Sequence, residues 1–329
     1  MRLKAFITLL SLLTPPLLHA TPPVPTIMVG IHPNSDGNCD TDISTNASYC
    51  EANILARETE IGRKFAIDSQ YGPFDFTSIP ESEWTILNGR MPMYTWGHRI
   101  GANNCVYYLD IVNGVYDTQL TAQATYLTTL GPMIVRLMPE MDKTKNTCQF
   151  SVDPEIDPVT AGIEFQALWQ HVYNIVHPIA TQIKWDFSPG VDAFTTGGSS
   201  GTPSNLWMDF YPGDSYVDYI GSEIYNLSPT SVRSVVASPA FNNWYVEAIT
   251  RNKDLMLSET GAINNDTIPI SPQQKWFYSL SKNAASAYPK IKVVVEFDTN
   301  GAGGDFRLAG TGEAAFADMS NKIYFSKMP

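Results

Sequence analysis

The stretch PMIVRLMPE, Pro132 to Glu140, is an apolar run with Arg136 near its centre and Pro139-Glu140 at its end. A strand buried on both faces has little use for a guanidinium or a carboxylate unless each finds a partner. Side chains alternate along a strand, so Arg136, Met138 and Glu140 are expected to share one face. If Glu140 faces a barrel mouth, Arg136 lies one layer deeper. Carboxylates or carbonyls of adjacent strands would then be its acceptors, and Arg136 would organise the floor of a polar site. The plainer reading is an Arg that reaches a carbonyl or the surface as structural glue.

Seven other apolar runs accompany it: TIMVGI (26–31), KFAIDSQY (64–71), MPMYTW (91–96), QIKWDFSP (182–189), YVDYIGSEIY (216–225), DLMLSETG (254–261) and KVVVEFD (292–298). Most lead through a polar turn into a segment of helical period, such as residues 160–182 and 271–287. Near-continuous apolar runs separated by helices imply a parallel sheet covered on its faces. Eight such units predict an α/β fold, a single (β/α)8 TIM barrel with its catalytic site at the C-terminal ends of the strands. The alternative, a doubly wound open sheet, lacks a G-x-G-x-x-G turn after the first strand. The Gly- and Ser-rich segment 195–205 has no G-x-S-x-G elbow and reads as a connection.

The chain has 329 residues and a net charge of −12, with 33 acidic against 21 basic residues. That balance disfavours nucleic acid and anionic membranes as partners. Residues 1–20 read as a signal peptide: Arg2 and Lys4, an apolar stretch, and Ala20 at the cut. The expectation is a secreted monomer whose barrel spans 21–329, with no membrane association after cleavage. Four cysteines suit that compartment. Cys39 and Cys50 bracket a polar loop and are expected to pair, leaving Cys105 with Cys148. Metal binding competes weakly, since there is no CxxC and no His at ligand spacing. Neither a metal nor a cofactor is expected.

Polar groups at the strand ends then carry the function. The fourth run ends on Glu140 and the seventh on Glu259. Two carboxylates facing each other across a barrel mouth are the equipment for glycoside hydrolysis, one protonated and one ionised. Tyr225 ends the sixth run, where its hydroxyl would orient the nucleophile. Trp96, Trp185, Trp207, Tyr211 and Tyr225 are candidates for an aromatic rim against sugar faces, though aromatics in such barrels are equally ordinary core.

The order of these pieces resembles glycoside hydrolase family 26, the clan A barrels best known as β-mannanases. The resemblance rests on IVNGVYDTQLTAQA (111–124) followed by GPMIVRLMPEMD (131–142), IKWDFSPG (183–190), YPGDSYVDYIGSEIY (211–225), LMLSETGA (255–262) and VEFDTNGAGGDFRL (295–308). EIGRKFAIDSQY (60–71) and GRMPMYTWG (89–97) add weaker support. By position, the resemblance implies Glu140 as acid/base, Glu259 as nucleophile, and Tyr225 as its hydrogen-bond donor. It makes Trp96, Trp185 and Tyr211 candidate sugar contacts. The implied activity is that of a retaining endo-β-glycosidase on a β-linked polysaccharide, β-1,4-mannan first, with xylan and mixed-linkage β-glucan as alternatives. Two departures stand out. The family usually has His before its acid/base, where this chain has Pro139, which has no N–H to donate. The closing strand carries Glu296 beside Phe297, both taken as candidate substrate contacts. His98 could stand in for the lost His or be a loop His. A barrel that binds carbohydrate without turnover, or a secreted interaction protein, are the rival functions.

Overall fold

A computed structural model describes residues 27–33, 43–101, 104–143, 158–194, 206–301 and 303–326. Residues 1–20, expected from the sequence to be a signal peptide, lie outside them, as do Cys39 and Cys148. Cys50 and Cys105 are not free thiols.

All eight apolar runs are strands: β1 Ile27–His32, β2 Ile67–Gly72, β3 Met91–Trp96, β4 Met133–Leu137, β5 Ile183–Phe187, β6 Tyr219–Asn226, β7 Asp254–Ala262 and β8 Ile291–Phe297. Each pairs in parallel with its neighbour in chain order. β8 returns to β1, with Met28 opposite Val293. That closure makes a barrel and removes the doubly wound alternative, whose strand order would reverse. Helices follow the strands: α1 Ile43–Ile61, α2 Pro80–Leu87, α3 Asp117–Leu127, α4 Pro158–Val176, α5 Leu206–Phe210, α6 Pro239–Ala248, α7 Pro272–Ala287 and α8 Gly310–Ser320. The start of α7 shows the local logic. Ser271 accepts from the Gln274 N–H as N-cap, and Pro272 occupies the first turn, where its missing N–H costs nothing.

Strand alternation splits the core in two. Ile67, Met93, Ile134, Met256, Val293 and Val295 pack together inside the barrel. Ile31, Tyr94, Trp96, Val135, Leu137, Trp185, Phe187 and Leu257 belong to the larger shell between strands and helices. Above the apolar floor the barrel interior turns polar. Ser258 Oγ donates to Asp186 Oδ2 at 2.7 Å. An ideal Cβ on Gly221 would collide with both side chains, so only glycine leaves room for that pair. No helix among the described residues is long and apolar enough to cross a membrane.

Candidate active site

Glu259 is brought into the barrel by an irregularity in β7. Met256 faces inward and Leu257 outward, so strict alternation would place Ser258 inside and Glu259 among the helices. Instead the pairing with β6 skips one residue: Ser222 faces Leu257, and Glu223 faces Glu259. The β8 side shows a matching shift, from Val294–Leu257 to Glu296–Thr260. This bulge lets Ser258 and Glu259 both point inward, while Thr260 turns outward to accept from Trp276 Nε1 at 2.9 Å.

Three side chains then donate to the Glu259 carboxylate. Tyr71 Oη, from β2, and Arg136 Nη1, from β4, both reach Oε1. Tyr225 Oη, from β6, reaches Oε2 at 2.5 Å. Burial alone would raise the Glu259 carboxyl. The Arg136 charge, with the bonds from Tyr225, Tyr71 and Arg136, overcomes it and holds the group below its ordinary value. Arg136 is fully buried. Burial works against its charge, but Glu259 and Glu223 together keep the guanidinium firmly protonated.

Glu223 was not singled out from the sequence. It faces inward two residues before Tyr225, accepting from Arg136 Nη2 and, at 2.7 Å, from Ser188 Oγ. Burial raises its carboxyl, Arg136 opposes this, and the Glu259 charge raises it further. The period-two relation between Glu223 and Tyr225 was the available signal. Tyr71 and Ser188 likewise lie at or near the ends of the second and fifth apolar runs, where a strand-end position is the signal for a site residue.

Glu140 is reached differently from expectation. β4 ends at Leu137, and Met138 (φ 43°) and Glu140 (φ 54°) are both left-handed, flanking Pro139. Met138 packs in the outer shell, so strand alternation does not carry the face of Arg136 on to Glu140. Left-handed φ at two non-glycine residues is strained backbone, of the kind that persists where surrounding contacts enforce it. The Met138 N–H donates to the Trp96 carbonyl and the Glu140 N–H to the Ser188 carbonyl, at 2.8 and 2.9 Å. His98 Nε2 donates to the Pro139 carbonyl at 2.9 Å. Since a carbonyl only accepts, Nε2 carries the proton. Burial, opposed by the Pro139 bond, lowers the His98 pKa to about 4 and keeps the ring neutral. Lys143 Nζ pairs with Glu140 Oε1. Through Ser188, the Glu140 loop and the Glu223–Arg136–Glu259 cluster share one end of the barrel.

Several expected sugar contacts are corrected. Trp96 and Trp185 have outward parity and are fully buried between strands and helices. Trp96 Nε1 donates to the Phe74 carbonyl, and Trp185 packs edge-on against Trp169. Trp207 is buried and stacked on Phe194. Tyr211 lies against Phe187 and Trp207, with its hydroxyl donating to Asp214. Glu296 is fully buried on the outer side of β8; burial, reinforced by Asp298 and opposed by Arg57, pushes its carboxyl well up. None of these presents a surface to a sugar. Phe297 has the inward parity. It is half-buried and stacks on His32 at 5.2 Å, with Tyr71 and Tyr225 edge-on. The aromatic lining near Glu259 is therefore Tyr71, Tyr225, Phe297 and His32. Among the described residues no group of three or more His, Cys, Asp or Glu side chains could hold a metal ion.

No family model matches the chain. Among curated proteins it is 26% identical over 263 residues to Endoglucanase H of Acetivibrio thermocellus, covering 78% of this chain and 27% of that protein. It thus spans about a quarter of that relative's length. Solved structures align along nearly all of it. The catalytic domain of the Bacillus sp. JAMB-750 glycoside hydrolase family 26 endo-β-1,4-mannanase superposes with a TM-score of 0.63 at 14% identity, covering 92% of this chain and 88% of that one. Bacillus subtilis mannanase BCman gives 0.59 at 15%, covering 93% and 88%. A modular Cellulomonas fimi endo-β-1,4-mannanase gives 0.56 at 13%, covering 92% and 72%. The resemblance carried by the sequence motifs thus extends to the whole architecture: this chain has the (β/α)8 fold of the glycoside hydrolase family 26 mannanases.

Proposed function

We propose that the protein is a glycoside hydrolase, a retaining endo-β-glycosidase acting on a β-linked polysaccharide. The observation that carries this reading is the inward-turned Glu259, held ionised by Arg136, Tyr71 and Tyr225 at the end of the barrel that also bears Glu140. In the first step a Glu259 oxygen attacks the anomeric carbon. The glycosidic C–O bond breaks, and the leaving oxygen takes a proton from Glu140. In the second step Glu140 takes a proton from water, whose oxygen attacks the same carbon and releases the Glu259 carboxylate. Phe297 offers an aromatic face to the sugar. The reading includes secretion with cleavage after Ala20, a monomeric barrel, and the Cys39–Cys50 and Cys105–Cys148 pairs. β-1,4-Mannan is the first substrate, on the likeness to mannanases, and β-glucan the second, on the name of the curated relative.

The Lys143–Glu140 ion pair and Pro139 favour one rival, a carbohydrate-binding barrel without turnover. Reducing-end release by residues 21–329 from β-mannan, galactomannan, xylan and mixed-linkage β-glucan separates the two. Release from one polymer, lost in Glu259→Ala, is expected. Binding without release from any would replace the enzyme with the binding barrel.

A further inference from the structure

The barrel holds two carboxylates on one guanidinium. Glu223 and Glu259 face each other across β6 and β7, and Arg136 divides its two terminal nitrogens between them. The groups facing Glu259 are Tyr71 on β2, Arg136 on β4, and Glu223 and Tyr225 on β6. Asp186 on β5 and Lys143 after β4 act on the cluster at longer range, and His32 on β1 lies against Tyr71. The Glu223 side chain is buried and bonded to Arg136 and Ser188. A purely structural Arg136 would need only one buried carboxylate for neutrality. A second costs desolvation and repels the first.

We propose that Glu223 is a positioning residue that serves as the standing counter-charge of Arg136 while Glu259 is esterified, an inference that rests on the nucleophilic role of Glu259 given above. With both carboxylates ionised, the Arg136–Glu223–Glu259 cluster carries one net negative charge. When Glu259 bonds to the anomeric carbon its charge is consumed, and Arg136 with Glu223 is left as a neutral buried pair. Without Glu223 the same step would strand an uncompensated guanidinium in the barrel. Glu223 also withholds half of the Arg136 fork from Glu259, so the nucleophile is less stabilised in its resting state than a sole partner would be.

Glu223→Gln tests this, because it keeps shape and removes charge. Loss of a neighbouring negative charge makes Glu259 ionise more readily. The acid limb of kcat/KM should therefore move down by about one pH unit, while kcat at the plateau falls about tenfold or more. Glu223→Asp should restore much of both. Titration of Glu259 by 13C NMR of carboxyl-labelled protein reads the same shift without any substrate, so it stands even if the glycosidase reading fails. Ser188→Ala weakens the hold on the Glu223 charge. It should move the Glu259 titration in the same direction by less, and it carries the test if Glu223→Gln does not fold. An unmoved Glu259 titration in the folded variants would overturn the proposal.

Discussion

Glu259 and Glu140 occupy the same end of one barrel in opposite kinds of surroundings. Glu259 sits within a paired strand, turned inward by a bulge and fixed by three donors from three other elements. Glu140 sits past the end of β4 on left-handed backbone, a fifth exposed, with one long-stemmed ion-pair partner among the described residues, Lys143, three residues on. A carboxylate that must attack needs a fixed position and a charge kept at working pH. One that must give and retake a proton needs access to water and freedom to change protonation state. The contrast supports the two proposed roles on physical grounds, independently of motif position.

That assignment can be broken most sharply at Glu259. Glu259→Ala should lower polysaccharide hydrolysis by about ten thousandfold or more. Near-normal turnover in a folded variant would place the nucleophile elsewhere. Arg136→Ala should lose activity and also stability, by about 3–5 kcal/mol, because two buried carboxylates lose their counter-ion. Chemical denaturation would check this. Glu140→Ala should lower polymer hydrolysis by about a hundred- to ten-thousandfold. It should spare the first step on an aryl glycoside whose leaving group needs no proton, and an equal loss on both substrates would remove Glu140 from the acid role.

Smaller effects sharpen the comparison. Tyr225 donates to ionised Glu259, so Tyr225→Phe should raise the acid limb of kcat/KM, opposite in sign to Glu223→Gln. The pH–rate profile of the variant decides. Stability also carries a pH signature. Burial raises Asp142 and Asp186 to about 7, above their unfolded value near 4. The folded state binds those protons more tightly, so their stabilisation is present at low pH and is lost as pH rises through 7. Glu259, held low, acts in the other direction only at more acidic pH. The melting temperature should be a few degrees higher near pH 5 than near pH 8. A flat or reversed trend would mean these carboxyls are solvated.

The barrel was legible because its signal is long-range and redundant. Eight apolar runs with helices between them allow few alternatives, and all eight are strands. Site details depended on single-residue parity, which is harder to read. Trp96 and Trp185 lie next to inward residues, Thr95 and Asp186, and a shift of one position separates a rim aromatic from a core one. Parity also misleads at Glu259, because the bulge at Ser258–Glu259 leaves no composition signal, and at Glu140, because β4 stops at Leu137. The buried Arg136 at the centre of an apolar run was the clearest local clue. It points to carboxylate partners, and only the pairing of β6 with β7 places Glu223 beside Glu259 as one of them.

The most direct test pairs Glu259→Ala with Glu140→Ala on an aryl β-glycoside of the sugar released by the unaltered enzyme, in the presence of azide. The anomeric configuration of the glycosyl azide is read by NMR. Azide should enter the space vacated by Glu259 to give the α-azide. In Glu140→Ala it should attack the glycosyl–Glu259 ester from the opposite face to give the β-azide. A β-azide from Glu259→Ala, or full activity in that variant without azide, would contradict the assignment of Glu259 as the nucleophile.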